Sequence, residues 1–61
     1  MIIKIDDKHI DVSQVCVVGE LYGKSPWVYY TIVFDSGYTI EVYERKVPRD
    51  KFIDLWKTAR T

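Results

Sequence analysis

Residues 27–45 read WVYYTIVFDSGYTIEVYER, and this stretch decides the fold. Apolar and polar side chains alternate through both halves of it, and the middle, Asp35-Ser36-Gly37, has the composition of a turn. The pattern predicts two antiparallel strands, Trp27–Phe34 and Tyr38–Arg45. The more apolar face of the first strand carries Val28, Tyr30, Ile32 and Phe34. We expect that face to pack against the rest of the protein.

The length of the turn follows from the side-chain pairs that it creates. A two-residue loop pairs Ile32 with Glu41 and so mixes apolar and charged side chains on one face. A three-residue loop pairs Ile32 with Ile40 instead and keeps the apolar side chains together. The sequence therefore predicts a type I turn with a G1 bulge, in which Gly37 takes the left-handed conformation.

The residues before this hairpin predict shorter strands. Alternation indicates strands at Ile2–Ile5, His9–Val12 and Val15–Leu21, with a polar turn at residues 6–8. A glycine inside a strand is typical of a bulge, so we expect one at Gly19. Residues 22–26 contain a glycine and a proline and are predicted to form a connecting loop.

A helix is predicted from Pro48 onward, because proline is favoured in the first helical turn, where its missing N–H costs nothing. The apolar residues that follow recur at helical spacing and form one face: Phe52, Leu55, Trp56 and Ala59, with Ile53 beside them. These elements predict an α+β fold, an antiparallel β-meander of four or five strands followed by one C-terminal helix packed on one sheet face. We expect residues 1–61 to form a single small domain.

Length and composition exclude several classes of protein. Sixty-one residues are too few for a second domain, and a hydrophobic content of 48% argues against a disordered linker. The longest uncharged run lies within Ser25–Phe34, far short of the ~20 residues that a membrane span needs. The first residues lack the pattern of an export signal, and a lone cysteine, Cys16, gives no disulfide framework. We therefore expect a cytoplasmic protein that does not bind membranes.

Residue types that carry catalysis or bind metals are few. A nucleophile pair of Cys16 and His9 would need a third orienting group and a closed cleft. We expect Cys16 to be a small buried hydrophobe and His9 to face solvent. Asp6, Asp7 and Asp11 lie close in sequence but lack the glycine and the terminal glutamate of a calcium-binding loop. The sequence predicts no enzyme, no catalytic residue, no metal, no cofactor and no small-molecule substrate.

The net charge of zero conceals an uneven distribution of charge. Residues 1–44 carry four more acidic than basic side chains, and residues 45–61 carry four more basic than acidic ones. The basic segment begins with Arg45, Lys46, Arg49 and Lys51. These side chains could contact phosphates or an acidic protein surface. The alternative is an ordinary solvated strand end and helix start, where acidic helix residues pair with nearby lysines.

A second set of aromatic side chains falls on the opposite face of the predicted hairpin, where Tyr29 is expected directly across from Tyr43. The members of this face are Trp27, Tyr29, Val33 and Tyr43. A fully solvated sheet face does not usually carry such a set. The N-terminal hairpin could cover this face, a second copy of the chain could cover it, or a partner could bind it. Nucleic-acid bases stacking on the aromatic rings are a fourth use.

The C-terminal half resembles a known family. The hairpin residues Phe34-Asp35-Ser36-Gly37-Tyr38, the dipeptide Val47-Pro48 and the helix residues Phe52, Leu55 and Ala59 resemble KTSC-type domains, short bacterial and phage domains named after a Lys-Thr-Ser-Cys motif. The Ala-x-Ser-x-Gly that follows the helix in those domains is not found here. The overall plan also resembles small phage-encoded accessory proteins. The resemblance implies a hairpin followed by a helix, and nucleic-acid binding has been suggested for those domains.

These observations favour a small non-enzymatic protein-interaction module, a homodimer or a subunit or inhibitor of a larger assembly. A thin core together with a surplus aromatic face motivates this hypothesis. The alternative is a nucleic-acid-binding module that uses the basic segment, residues 45–60, with exposed aromatic side chains. The predicted partner-binding residues are Trp27, Tyr29, Tyr43, Arg45, Lys46 and Arg49.

Overall fold

The computed structural model describes residues 1–60, over which the chain forms five strands and one α-helix. The elements are β1 (Ile2–Ile5), β2 (Lys8–Asp11), β3 (Val15–Val18), β4 (Tyr29–Phe34), β5 (Thr39–Tyr43) and α1 (Arg49–Arg60), with a 3₁₀ turn at Val12–Gln14. Strands β1 and β2 form a hairpin, and β3, β4 and β5 form an antiparallel sheet in that order. The predicted α+β class, with a meander of strands followed by one C-terminal helix, is confirmed.

The β4–β5 hairpin has the predicted register. Ile32 lies opposite Ile40 in the ladder. The amide of Gly37 donates to the carbonyl of Phe34 over 2.8 Å, and Gly37 has a φ of 91°, the left-handed conformation that the three-residue loop requires. Both strands are shorter than predicted, because Trp27 lies in a bend before β4 and the chain turns again after Tyr43.

Strand β3 differs from the prediction in the position of its bulge. Val15 lies opposite Phe34, but Val17 lies opposite Val33, so the register shifts at Cys16 and not at Gly19. The strand also ends at Val18. An extra residue in one strand reverses the alternation that follows it, so Cys16 and Val17 are both exposed. The predictions of a bulge at Gly19 and of a buried Cys16 are therefore wrong.

The core lies on one face of the three-stranded sheet. Its buried members are Ile5, Ile10, Val12, Val15, Tyr30, Ile32, Val42 and Phe52. Ile5 and Ile10 come from the β1–β2 hairpin and Phe52 from α1, so hairpin and helix pack on the same side of the sheet. The N-terminal hairpin therefore does not cover the second aromatic face, and that alternative is wrong. Three residues of the predicted apolar stripe of the helix, Phe52, Trp56 and Ala59, pack in or against the core, and Ile53 and Leu55 are half-buried outside the core cluster.

The helix is fixed at both ends by polar contacts. The backbone amide of Arg49 donates to Oε2 of Glu44 over 2.8 Å, which provides an acceptor for one of the free amides of the first turn. Near the other end, Nε1 of Trp56 donates to the carbonyl of Val15 over 2.8 Å, beside the bulge of β3. No helix within residues 1–60 is long and apolar enough to cross a membrane.

Candidate interaction surface

The face of the β3–β4–β5 sheet that points away from the core is open, and we call it the outer face. Ladder partners share a face, so its members follow from the register. They are Val17 from β3, Tyr29, Thr31 and Val33 from β4, and Thr39, Glu41 and Tyr43 from β5. Tyr22, Trp27 and Arg45 extend it at one end. The predicted aromatic face therefore exists, and no element formed by residues 1–60 packs over it.

Tyr22 belongs to this surface, although the sequence pattern predicts a connecting loop at residues 22–26. Its backbone forms a bridge with Tyr29 through two hydrogen bonds of 2.8 and 2.9 Å, and the two rings lie 6.3 Å apart. The following Gly23 has a φ of 90°, and a Cβ there would lie 2.8 Å from the carbonyl oxygen of Trp27. A glycine at position 23 thus lets the chain turn tightly enough to bring Tyr22 back against β4.

Trp27, Tyr43 and Arg45 form a compact group at the end of the outer face. The rings of Trp27 and Tyr43 meet edge to face with centroids 5.8 Å apart. The guanidinium carbon of Arg45 lies 4.4 Å from the centre of the Trp27 ring and 6.0 Å from that of Tyr43, a cation–π arrangement. Among the described residues Arg45 has no ion pair, so its charge remains available at the surface.

Lys46 and Arg49, the other two predicted binding residues, lie elsewhere and have partners. Nζ of Lys46 lies 3.0 Å from a carboxylate oxygen of Asp6 and ties the N-terminal hairpin to the turn after β5. Nε of Arg49 donates to the carbonyl of Gly19 over 2.6 Å, and its Nη2 lies 3.8 Å from Glu20. Two of the predicted basic side chains are therefore engaged with acidic groups, and of the six predicted binding residues the structure brings together Trp27, Tyr29, Tyr43 and Arg45.

The groups considered for catalysis or metal binding are dispersed. Within residues 1–60, no three His, Cys, Asp or Glu side chains lie close enough to hold a metal ion. His9 is exposed, as predicted. Asp11 is engaged with its own turn, since the hydroxyl and the amide of Ser13 donate to its Oδ1 over 2.6 and 3.1 Å. These two hydrogen bonds lower the pKa of Asp11, so the carboxylate caps the 3₁₀ turn in its charged form.

A groove of about 610 Å³ lies between β2 and the tip of the β4–β5 hairpin. Its apolar lining is Ile10, Phe34, Tyr38 and Ile40, and polar residues of β2, of the 3₁₀ turn and of the hairpin turn complete the lining. The rings of Phe34 and Tyr38 lie 5.9 Å apart. The groove opens on the core side of the sheet and is therefore separate from the outer face.

Comparison with known proteins finds no relative of this chain. No family model, curated protein or solved structure matches the chain. The resemblance of residues 34–59 to KTSC-type domains therefore stays a prediction.

Proposed function

We propose that the protein is a small non-enzymatic protein-interaction module that binds through its outer face, as a homodimer or as a subunit or inhibitor of a larger assembly. The observation that carries this proposal is the exposure of its aromatic side chains: Tyr22 is 59% exposed, Trp27 53% and Tyr43 42%. Contiguous exposed apolar surface marks interaction sites, and Trp, Tyr and Arg dominate the binding energy of protein interfaces.

Stability of the monomer explains only part of this surface. The cross-strand pair of Tyr29 and Tyr43 supports the sheet by about 0.2–1 kcal/mol. Trp27 and Tyr22 lie outside the named strands of the sheet, and each leaves more than half of its surface in water. Arg45 stacked on Trp27 contributes about 0.5–1 kcal/mol at an exposed site. A surface of this composition is therefore better explained by a binding role than by folding alone.

The arrangement also suits recognition because Arg45 stacks on aromatic rings of its own chain. Its ring contacts hold the Arg45 guanidinium in place, so less rotamer entropy is lost when a partner binds. The hydrogen-bonding edges of a stacked guanidinium remain able to meet a carboxylate. The aromatic rings supply apolar area with few rotatable bonds. These properties favour a protein partner with an apolar surface beside an acidic group.

Site-specific photo-crosslinking in the native host tests the proposal. A photoreactive phenylalanine analogue replaces Tyr22 on the outer face, and in a matched control it replaces Tyr38, which is 62% exposed but lies at the groove. We expect protein adducts from position 22 and few from position 38. Adducts with nucleic acid only, or protein adducts only from position 38, would overturn the proposal.

Nucleic-acid binding is the second candidate, and the stacked Arg45 beside exposed aromatic rings favours it. Bases stack on aromatic and guanidinium planes next to a basic surface. Against it, Glu41 lies on the same face, and Lys46 and Arg49 have acidic neighbours. Titration with single- and double-stranded oligonucleotides at low and high salt decides between the two. Binding that weakens steeply with salt supports this candidate, and no binding at low salt excludes it.

A further inference from the structure

We infer that the partner of the outer face is a second copy of this chain, packed across a two-fold axis that pairs Arg45 of each copy with Glu41 of the other; this inference rests on the proposed function. The inference comes from the order of charges along β5 and the chain just after it. Glu41, Tyr43 and Arg45 follow one another at two-residue spacing on the outer face, with the aromatic residue between the acid and the base.

Both charges are available for pairing. Glu41 is exposed, and neither it nor Arg45 has an ion pair with any residue in the part of the chain that the structure describes. Other charged side chains nearby do have partners, such as Lys46 with Asp6. The outer face therefore presents one unpaired acid and one unpaired base, on either side of Tyr43.

With this order of charges, a two-fold axis places opposite charges of the two copies against each other. An axis that lies between two facing sheets, perpendicular to the strands and level with Tyr43, reverses the direction of β5 in the second copy. Arg45 of one copy then lies over Glu41 of the other, and symmetry forms the same pair a second time. Tyr43 meets its own counterpart at the axis.

The shape of the face agrees with the same axis. Next to Glu41, the outer face carries the small side chain of Thr31 and then Gly19, whose amide donates to the carbonyl of Thr31 over 2.8 Å. Because these residues are small, this part of the outer face is a shallow depression beside the aromatic side chains. Trp27 lies at the opposite side of the Tyr29–Tyr43 pair, so the two-fold rotation brings the Trp27 ring of one copy over the depression of the other. Large and small side chains thus face each other.

The available area indicates a weak dimer. Tyr22, Trp27 and Tyr43 leave about half of their surfaces exposed, or roughly 300 Å² together for side chains of this size. A standard interface buries about 800 Å² on each partner. Even with the surrounding strand residues the contact is at the lower end of specific interfaces. We therefore expect dissociation in the micromolar range.

Sedimentation velocity with charge-reversed variants tests the inference. The samples are the wild type, Arg45→Glu, Glu41→Arg and an equimolar mixture of these two variants, from low micromolar to several hundred micromolar. Each variant alone places two like-charged pairs across the axis, whereas the mixed dimer restores two opposite-charged pairs. Lys57→Glu, on the exposed side of α1, is the matched control for a change of charge.

We expect the wild type and Lys57→Glu to dimerise alike, each of the other two variants to associate at least about tenfold more weakly, and their mixture to regain dimerisation. A wild type that stays monomeric throughout overturns the second copy as partner. Dimerisation of the wild type that the two variants leave unchanged, or that their mixture fails to restore, overturns the Arg45–Glu41 arrangement. Adducts of position 22 with a different protein would uphold the proposed function even when the dimer fails.

Discussion

The hydroxyl of Tyr30 donates a hydrogen bond of 2.9 Å to the backbone carbonyl of Val47. Tyr30 is fully buried in the middle sheet strand, and its ring lies 6.0 Å from that of Phe52 in the helix. One side chain thus connects the sheet, the turn after β5 and α1. This connection fixes the turn that carries Arg45, so the core side of the sheet positions a residue of the outer face.

Replacing Tyr30 with phenylalanine should lower the free energy of unfolding by about 1 kcal/mol, because the Val47 carbonyl loses its donor while the ring is retained. Urea-induced unfolding followed by circular dichroism measures the change. Tyr38→Phe is the control, since Tyr38 is exposed, and its effect should be within about 0.5 kcal/mol of zero. Equal stability of both variants would show that the buried hydrogen bond contributes nothing.

The same residue predicts how stability changes at alkaline pH. Burial and then the negative charge of Glu44 raise the pKa of Tyr30 above that of a free tyrosine, about 10, and Arg49 opposes this in part. The folded protein holds the proton of Tyr30 more tightly than the unfolded protein does. The contribution of protonated Tyr30 to the free energy of unfolding is therefore complete below about pH 10 and is lost as the pH rises above it. Unfolding of wild type and Tyr30→Phe across that range should show a smaller loss in the variant. Parallel losses would contradict the prediction.

The alternation of side chains predicted the β4–β5 hairpin because two independent signals agree there. The turn residues require a left-handed glycine, and only one register keeps Ile32 and Ile40 on the same face. The bulge in β3 could not be predicted in this way. Val15, Cys16, Val17 and Val18 are all apolar, so either face could be buried, and the choice depends on contacts with distant residues such as Trp56.

The residues of the candidate site were likewise predictable only where the alternation in the β4–β5 hairpin determines their position. Tyr29 and Tyr43 follow from the hairpin register, and Trp27 and Arg45 extend the same alternation by one step. Tyr22 was missed, since its return to β4 depends on the backbone of Gly23. An aromatic residue directly before a glycine, opposite an aromatic strand, is the signal that could have found it. The partners of Lys46 and Arg49 are remote in sequence, and alternation carries no information about them.

The outward position of Cys16 predicts a reactive and dispensable thiol. Because the bulge exposes its side chain, Ellman's reagent should modify the folded protein at a rate close to that of the unfolded protein. Cys16→Ser should change the free energy of unfolding by no more than about 0.5 kcal/mol, as expected for a surface site. A thiol that reacts only after denaturation, or a serine variant that fails to fold, would place Cys16 in the core instead.

Two glycines with similar backbone conformations should respond differently to alanine. Gly23 and Gly37 have φ values of 90° and 91°, so both substitutions carry the left-handed penalty of about 1–2 kcal/mol. A Cβ at Gly37 meets nothing within 4 Å, whereas one at Gly23 lies 2.8 Å from the backbone oxygen of Trp27. Gly23→Ala should therefore be the more destabilising in urea unfolding. Equal losses in the free energy of unfolding for the two variants would show that the backbone around Gly23 moves enough to accommodate the added Cβ.

The carbonyl of Val15 accepts hydrogen bonds from two helix side chains, Nε1 of Trp56 and Nη1 of Arg60, each over 2.8 Å. A carbonyl oxygen has two lone pairs and can accept both hydrogen bonds at once. One hydrogen bond is enough to leave the oxygen paired, so either donor alone can satisfy it. Trp56→Phe and Arg60→Met each remove one donor and leave the other. Only the double variant leaves this carbonyl, beside the bulge, without either donor.

The two substitutions should therefore be coupled, with the double variant losing about 1 kcal/mol more than the sum of the single losses. Urea unfolding of the four proteins gives the coupling energy, in which the packing change of each single substitution cancels. The control cycle combines Trp56→Phe with Lys57→Met, whose side chain is exposed, and should be additive. Additivity in both cycles would mean that the bulge carbonyl does not depend on its helix donors, and that packing of the Trp56 ring alone attaches α1 to β3.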